Sequence, residues 1–153
     1  MATWQAFIEL LTEELGAENV EGGADDKKAV VTMDLLPLLL KEGSTNTRRQ
    51  KVHFEYDGQD TTWISATSFV SPVPAPTDIS SFLEYLGKDW TKPGAVIVDG
   101  QLALRNHFSL SSFDSDGDTE ETDKQIMQIA LMSTGAIGFL ADFLEQHYTK
   151  KDV

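Results

Sequence analysis

The residues best able to do chemistry as a group are the oxygen donors of SFDSDGDTEETD, residues 112–123. Counted from Ser112, oxygen ligands fall at the first, third, fifth, seventh, ninth and twelfth places: Ser112, Asp114, Asp116, Asp118, Glu120 and Asp123. Gly117 takes the sixth place, where a calcium-binding EF-hand loop turns sharply, and hard cations favour such crowding of oxygens. Three features depart from that pattern. The first ligand is Ser instead of Asp, the twelfth is Asp instead of a bidentate Glu, and β-rich sequence precedes the loop where an EF-hand has a helix. The alternative reading is a solvated turn whose carboxylates sit favourably at the start of the helix that follows. The histidines, His53, His107 and His147, are spread over two predicted strands and a helix end. No nucleophile elbow, phosphate-binding loop or Ser-His-Asp spacing accompanies them. The sequence therefore predicts no enzyme and calls for no cofactor.

The chain has 153 residues, 25 of them acidic and 12 basic, for a net charge of −13. Such a field repels phosphates and anionic headgroups, which argues against nucleic acid and membrane partners and favours proteins of opposite charge. There are no cysteines, which fits a reducing cytoplasm and removes thiolate chemistry. No run approaches the roughly 18 apolar residues of a membrane span.

The elements that must position any site follow from periodicity. Thr3 caps a helix with Trp4, Phe7, Ile8, Leu11 and Leu15 on one side and Gly16 at its end. Residues 17–28 read as a loop. Val31, Met33 and Leu35 alternate with Val30, Thr32 and Asp34, as in a strand with one inward face. The alternation then fails, because Leu36, Leu38, Leu39 and Leu40 are apolar on both faces around Pro37. Either a helix buries this run, or Leu36, Leu38 and Leu40 form a surface for a partner or a second subunit. Residues 51–56 and 61–70 make a hairpin around Asp57-Gly58. A proline-rich connector, SPVPAPTD, leads to a helix with Ile79, Phe82, Leu83 and Leu86 on one side and Gly87 as its stop. Gly94 onward is a second hairpin turning at Asp99-Gly100, a strong signal for a primed turn. A last helix is announced at Asp118, with Glu121 in capping-box spacing. It carries Ile126, Ile129, Ile137, Leu140, Phe143, Leu144 and Tyr148 at three- and four-residue steps. Gly135 and Gly138 interrupt it at about 1 kcal/mol each, which predicts a close neighbour, within the monomer or across a helix-mediated dimer. The order α-β-β-β-α-β-β-α predicts one α+β domain, 1–153, with an antiparallel sheet of about five strands and helices packed on it.

SPVPAPTDISSFLEYLG, GAVIVDGQLALRNHFSL and the terminal amphipathic helix together resemble the YbjN family, whose members share the type III secretion chaperone-like fold. The resemblance covers roughly residues 52–148 and its motifs are structural; the Leu36–Leu40 run and the acidic loop are not features of that family. It implies a small cytoplasmic protein, often a homodimer, that binds a protein or peptide client as a chaperone or regulator. It also implies that Arg105 stands where such proteins often carry a basic residue on the last strand. The functional expectation is thus a non-enzymatic polypeptide-binding module using Leu36, Leu38, Leu40 and Arg105; the alternative is a Ca²⁺-responsive protein using residues 112–123.

Overall fold

A computed structural model describes residues 3–23, 25–35, 48–57, 63–72, 79–88, 93–110, 124, 128 and 136–145. The first helix, α1 (Trp4–Leu15), begins where Thr3 turns from extended backbone and its Oγ1 accepts the Ala6 N–H at 3.1 Å. This gives an acceptor to one of the four N–H groups that a helix start leaves unpaired. At the other end the Gly16 N–H reaches Thr12 O at 3.1 Å.

Six strands follow: β1 (Val20–Gly22), β2 (Lys28–Leu35), β3 (Arg48–Tyr56), β4 (Trp63–Pro72), β5 (Gly94–Val98) and β6 (Gln101–Ser109). A helix, α2 (Ile79–Gly87), joins β4 to β5, and residues 136–144 form a third helix, α3. All strands are antiparallel to their neighbours, in the order β1-β2-β3-β4-β6-β5. The α+β class is as the sequence predicts, but the sheet has six strands, not five. The additional one is β1, read from the sequence as loop because Val20-Glu21-Gly22 is too short to show a period. Its evidence is tertiary: Val20 lies opposite Val31 and Gly22 opposite Ala29.

Alternation divides the sheet into two faces. On one, Ala29, Val31, Met33, Val52, Phe54, Tyr56, Ile64, Ala66, Val70, Leu102, Leu104 and Phe108 join the core. The helices supply most of the remainder: Trp4, Phe7, Ile8, Leu10 and Leu11 from α1, Phe82 and Leu86 from α2, and Ile137, Ala141 and Leu144 from α3; Leu110, just past β6, is buried with them. Each large side chain buried in this way stabilises the fold by roughly 1.5–3 kcal/mol. Phe7 is the centre, with its ring 5.3 Å from Phe54 and 5.5 Å from Phe108, both edge-on. Trp4 stacks on Tyr56 at 5.6 Å, its ring tilted by 9°. Two helix positions differ from the sequence reading. Leu83 is 49% exposed, one residue outside the α2 stripe. Leu140 packs at the margin of the core, whereas Ala141 is fully buried.

Gly138 explains itself. A Cβ there would stand 2.8 Å from Met33 Sδ and 3.1 Å from Val52 Cγ2, so α3 crosses β2 and β3 closely enough that only glycine fits without displacement. The intramolecular reading of that glycine is therefore the structural one. Gly135 and the predicted helix start at Asp118 lie outside the described residues.

The β5–β6 hairpin turns at Asp99 and Gly100, with φ of 49° and 74°. Positive φ at both central residues is the primed turn that the Asp-Gly pair predicts. Between β3 and β4 the ladder runs only from His53↔Thr67 to Tyr56↔Ile64. Beyond it, side chains take over the backbone's role. The Gln50 amide donates to Phe69 O at 2.8 Å and to Ser68 Oγ at 2.9 Å, and the Ser68 hydroxyl donates to Lys51 O at 2.7 Å. Gln50 and Ser68 are both buried, so these bonds satisfy groups whose isolation would be costly.

Candidate functional site

The second face of the sheet carries the side chains with functional potential. The pleat that sends Val52, Phe54 and Ile64 inward sends Lys51, His53, Glu55, Trp63, Ser65, Thr67 and Phe69 the other way. Among the described residues, every helical position in the core cluster lies on the opposite side. Two complete rows cross this open face. One runs Glu21–Val30–His53–Thr67–Arg105–Gly94 and the other Lys28–Glu55–Ser65–His107.

Arg105 is half-buried on β6, and its Nε–H donates to Thr67 Oγ1 on β4 at 2.9 Å. Thr67 itself is buried, so the guanidinium is aimed by a fixed neighbour. Beside it, the His53 ring meets Phe69 edge-on at 5.2 Å. Burial lowers the His53 pKa below the ordinary imidazole value, and Lys51 lowers it further; Glu55 and Glu21 oppose the shift. His53 is thus the neutral member of a basic group at neutral pH. One row away, Trp63 packs edge-on against His107 at 5.2 Å while 44% exposed. An open groove of about 390 Å³ lies there, lined by Glu55, Tyr56, Asp57, Trp63, Ser65 and His107.

That groove holds a serine, a histidine and a glutamate in one row, but in an order unsuited to acyl transfer. A catalytic histidine must bond both the nucleophile and the carboxylate that orients it. Here Ser65 lies between His107 and Glu55, and Glu55 pairs instead with Lys28 at 3.2 Å. Arg49 likewise pairs with Asp34 at 3.2 Å. Both pairs are exposed and contribute about 0–1 kcal/mol each.

The two edges of the sheet differ. β1 is three residues long with a glutamate at its centre, and such short, charged edges resist pairing with other chains. β5 is GAVIV, paired with β6 over five consecutive positions without a bulge, and it carries no charge or proline. Its Ile97 is 60% exposed.

Of the residues expected from the sequence to act, Arg105 lies on the open face as described. Leu36, Leu38 and Leu40, together with Ser112, Asp114, Asp116, Asp118, Glu120 and Asp123, lie outside the described residues. Among the described residues, no three His, Asp or Glu side chains gather as a metal site, and no helix is long and apolar enough to cross a membrane. The grouping of His53, Thr67, Phe69 and Arg105, and the uncharged edge strand β5, escaped the sequence reading. The parity of residues 63, 65, 67 and 69 carried the first signal, since these alternate with the inward Ile64, Ala66, Ser68 and Val70.

The fold defines an α+β protein in which, among the described residues, the core helices pack on one face of the sheet. Comparison with protein-family models gives no match, and a search of curated protein sequences gives none either.

Proposed function

We propose that this chain is a polypeptide-binding module, chaperone-like or regulatory, that takes an extended segment of another protein as an added strand along β5. The observation that carries this reading is the contrast between the edges: β1 is short and charged, while β5 is apolar and uncharged and, among the described residues, pairs with β6 alone. Strand addition uses the backbone of an edge strand for affinity and alternate side-chain positions for selection. The exposed Ile97 and the exposed Leu83 of the neighbouring α2 supply apolar surface beside it. Charge favours a different protein over a second copy, because two copies each bear −13 and β5 offers no counter-charge. The resemblance to YbjN-like and secretion-chaperone-like proteins points the same way, and with it a cytoplasmic site of action.

An array of defined extended peptides, probed with wild type and with Ile97→Lys, tests the reading. A lysine on an edge strand is a natural guard against strand addition. At an exposed position it leaves the melting temperature nearly unchanged, so the variant is expected to lose peptide binding while folding normally. Equal binding by the two proteins, or no binding by wild type, refutes the proposal. A wild-type dimer that Ile97→Lys dissolves would assign the edge to a second copy instead.

A further inference from the structure

Arg105 has no carboxylate partner among the described residues. The chain has 25 acidic residues, and two other cations of this face, Lys28 and Arg49, are matched by Glu55 and Asp34. Among the described residues, the register places no carboxylate next to Arg105. Thr67 and Gly94 stand directly opposite it on β4 and β5. Ala103 and His107 are its same-face neighbours along β6, and Ser65, Phe69 and Val96 occupy the diagonal positions. Its one hydrogen bond, from Nε to Thr67 Oγ1, leaves the terminal Nη groups without a carboxylate partner among the described residues. A guanidinium fixed at Nε and free at Nη is arranged to accept a planar anion, because its outer N–H groups match two oxygens at once.

Lys51 adds a second cation from the far side of His53. It lies on the same face, two strands over and two residues along from the row of Arg105. Gly94 keeps the β5 side of the site low, since a Cβ there would meet only Arg105 O, at 3.8 Å.

We propose that Arg105, oriented by Thr67 and assisted by Lys51, is a subsite for the C-terminal carboxylate of the bound polypeptide. This deepens the strand-binding reading and rests on it for the identity of the ligand, while the subsite itself is testable alone. A carboxylate fits better than a phosphate, because the −13 field opposes a dianion more strongly than a monoanion.

The chain contains three arginines, Arg48, Arg49 and Arg105, so Nε–Hε signals in a ¹⁵N spectrum are few enough to assign. Wild type is titrated with sodium acetate, sodium chloride at equal ionic strength and inorganic phosphate. It is then titrated with an extended peptide carrying a free C-terminal carboxylate, and with the same peptide amidated. Acetate is expected to move the Arg105 signal selectively, and Thr67→Val to weaken that response. The acid peptide is expected to bind about tenfold or more tightly than its amide, with Arg105→Gln erasing the difference. If acetate moves Arg105 no more than chloride does, or phosphate binds more tightly than acetate, the subsite is overturned. If acid and amide bind equally, the subsite plays no part in client binding, although the edge does. If neither peptide binds but acetate acts on Arg105 alone, the strand-binding reading fails and the carboxylate subsite stands.

Discussion

Filling the gap at Gly138 tests how α3 is seated. Replacing the glycine by alanine has two opposed effects. Inside a helix the exchange gains up to about 1 kcal/mol of backbone propensity. Against this, the new methyl arrives 2.8 Å from Met33 Sδ and 3.1 Å from Val52 Cγ2. Methionine can swing aside, but Val52 is β-branched and almost fully buried, so it gives way only if the strand or the helix shifts. Overpacking of this kind costs about 1–3 kcal/mol, leaving Gly138→Ala destabilised by roughly 0–2 kcal/mol after the propensity gain. Gly138→Val adds two more methyls and is expected at about 3 kcal/mol. For a chain of this size each kcal/mol lowers the melting temperature by about 2–4 °C. Thermal melts of Gly138→Ala, Met33→Ala and the double variant form a cycle. Shortening Met33 opens space for the methyl, so the double variant is expected to be more stable than the sum by about 1 kcal/mol. A stabilised Gly138→Ala with strictly additive Met33→Ala would show that α3 does not press on Met33 and Val52.

Further expectations concern the core, a histidine and self-association. Leu144→Asp is expected to prevent cooperative folding, because an unpaired charge would replace a fully buried side chain. Leu140→Asp, at the core margin, is expected to melt cooperatively at lower temperature; equal melts for the two would refute this placement. His53 binds its proton more weakly when folded than when unfolded, so the unfolded state takes up the extra proton and stability falls as pH drops below the ordinary imidazole value. His53→Gln is expected to flatten that part of the stability profile between pH 7.5 and 5, and an unchanged difference from wild type would refute it. We also propose self-association through the Leu36–Leu40 run and not through β5: light scattering at micromolar concentration is expected to report a dimer that Leu38→Glu converts to a soluble monomer. A wild type that scatters as a monomer throughout would end that proposal.

Much of the architecture is legible in the chain because it is local. Thr3 announces its cap, Asp99-Gly100 its turn, and Val52, Phe54 and Tyr56 their shared face. β1 is not legible, because three residues contain no period and its pairing with β2 is decided in space. The candidate site follows the same division. Arg105 stands out by type, but its lack of a carboxylate depends on Thr67 lying opposite on one side and Gly94 on the other. That register joins residues 38 and 11 positions away in sequence. The Gln50–Ser68 bridge is likewise invisible beforehand, since a polar residue at an inward position reads as an exception until its acceptors are known.

The strand order also sets a timetable. β4 pairs with β6 over nine register positions, yet the chain completes α2 and β5 before β6 exists. During synthesis at about 5–20 residues per second, β4 waits a few seconds for its partner. Through that interval β4 is the growing edge, with Trp63 and Phe69 on one face and Ile64 and Val70 on the other. The β5–β6 hairpin, closed by its own turn within microseconds, can then dock as a finished unit. The seam between β4 and β6 is where the nascent protein is most vulnerable to pairing with the wrong strand, and the arrival of the hairpin moves the open edge outward to β5.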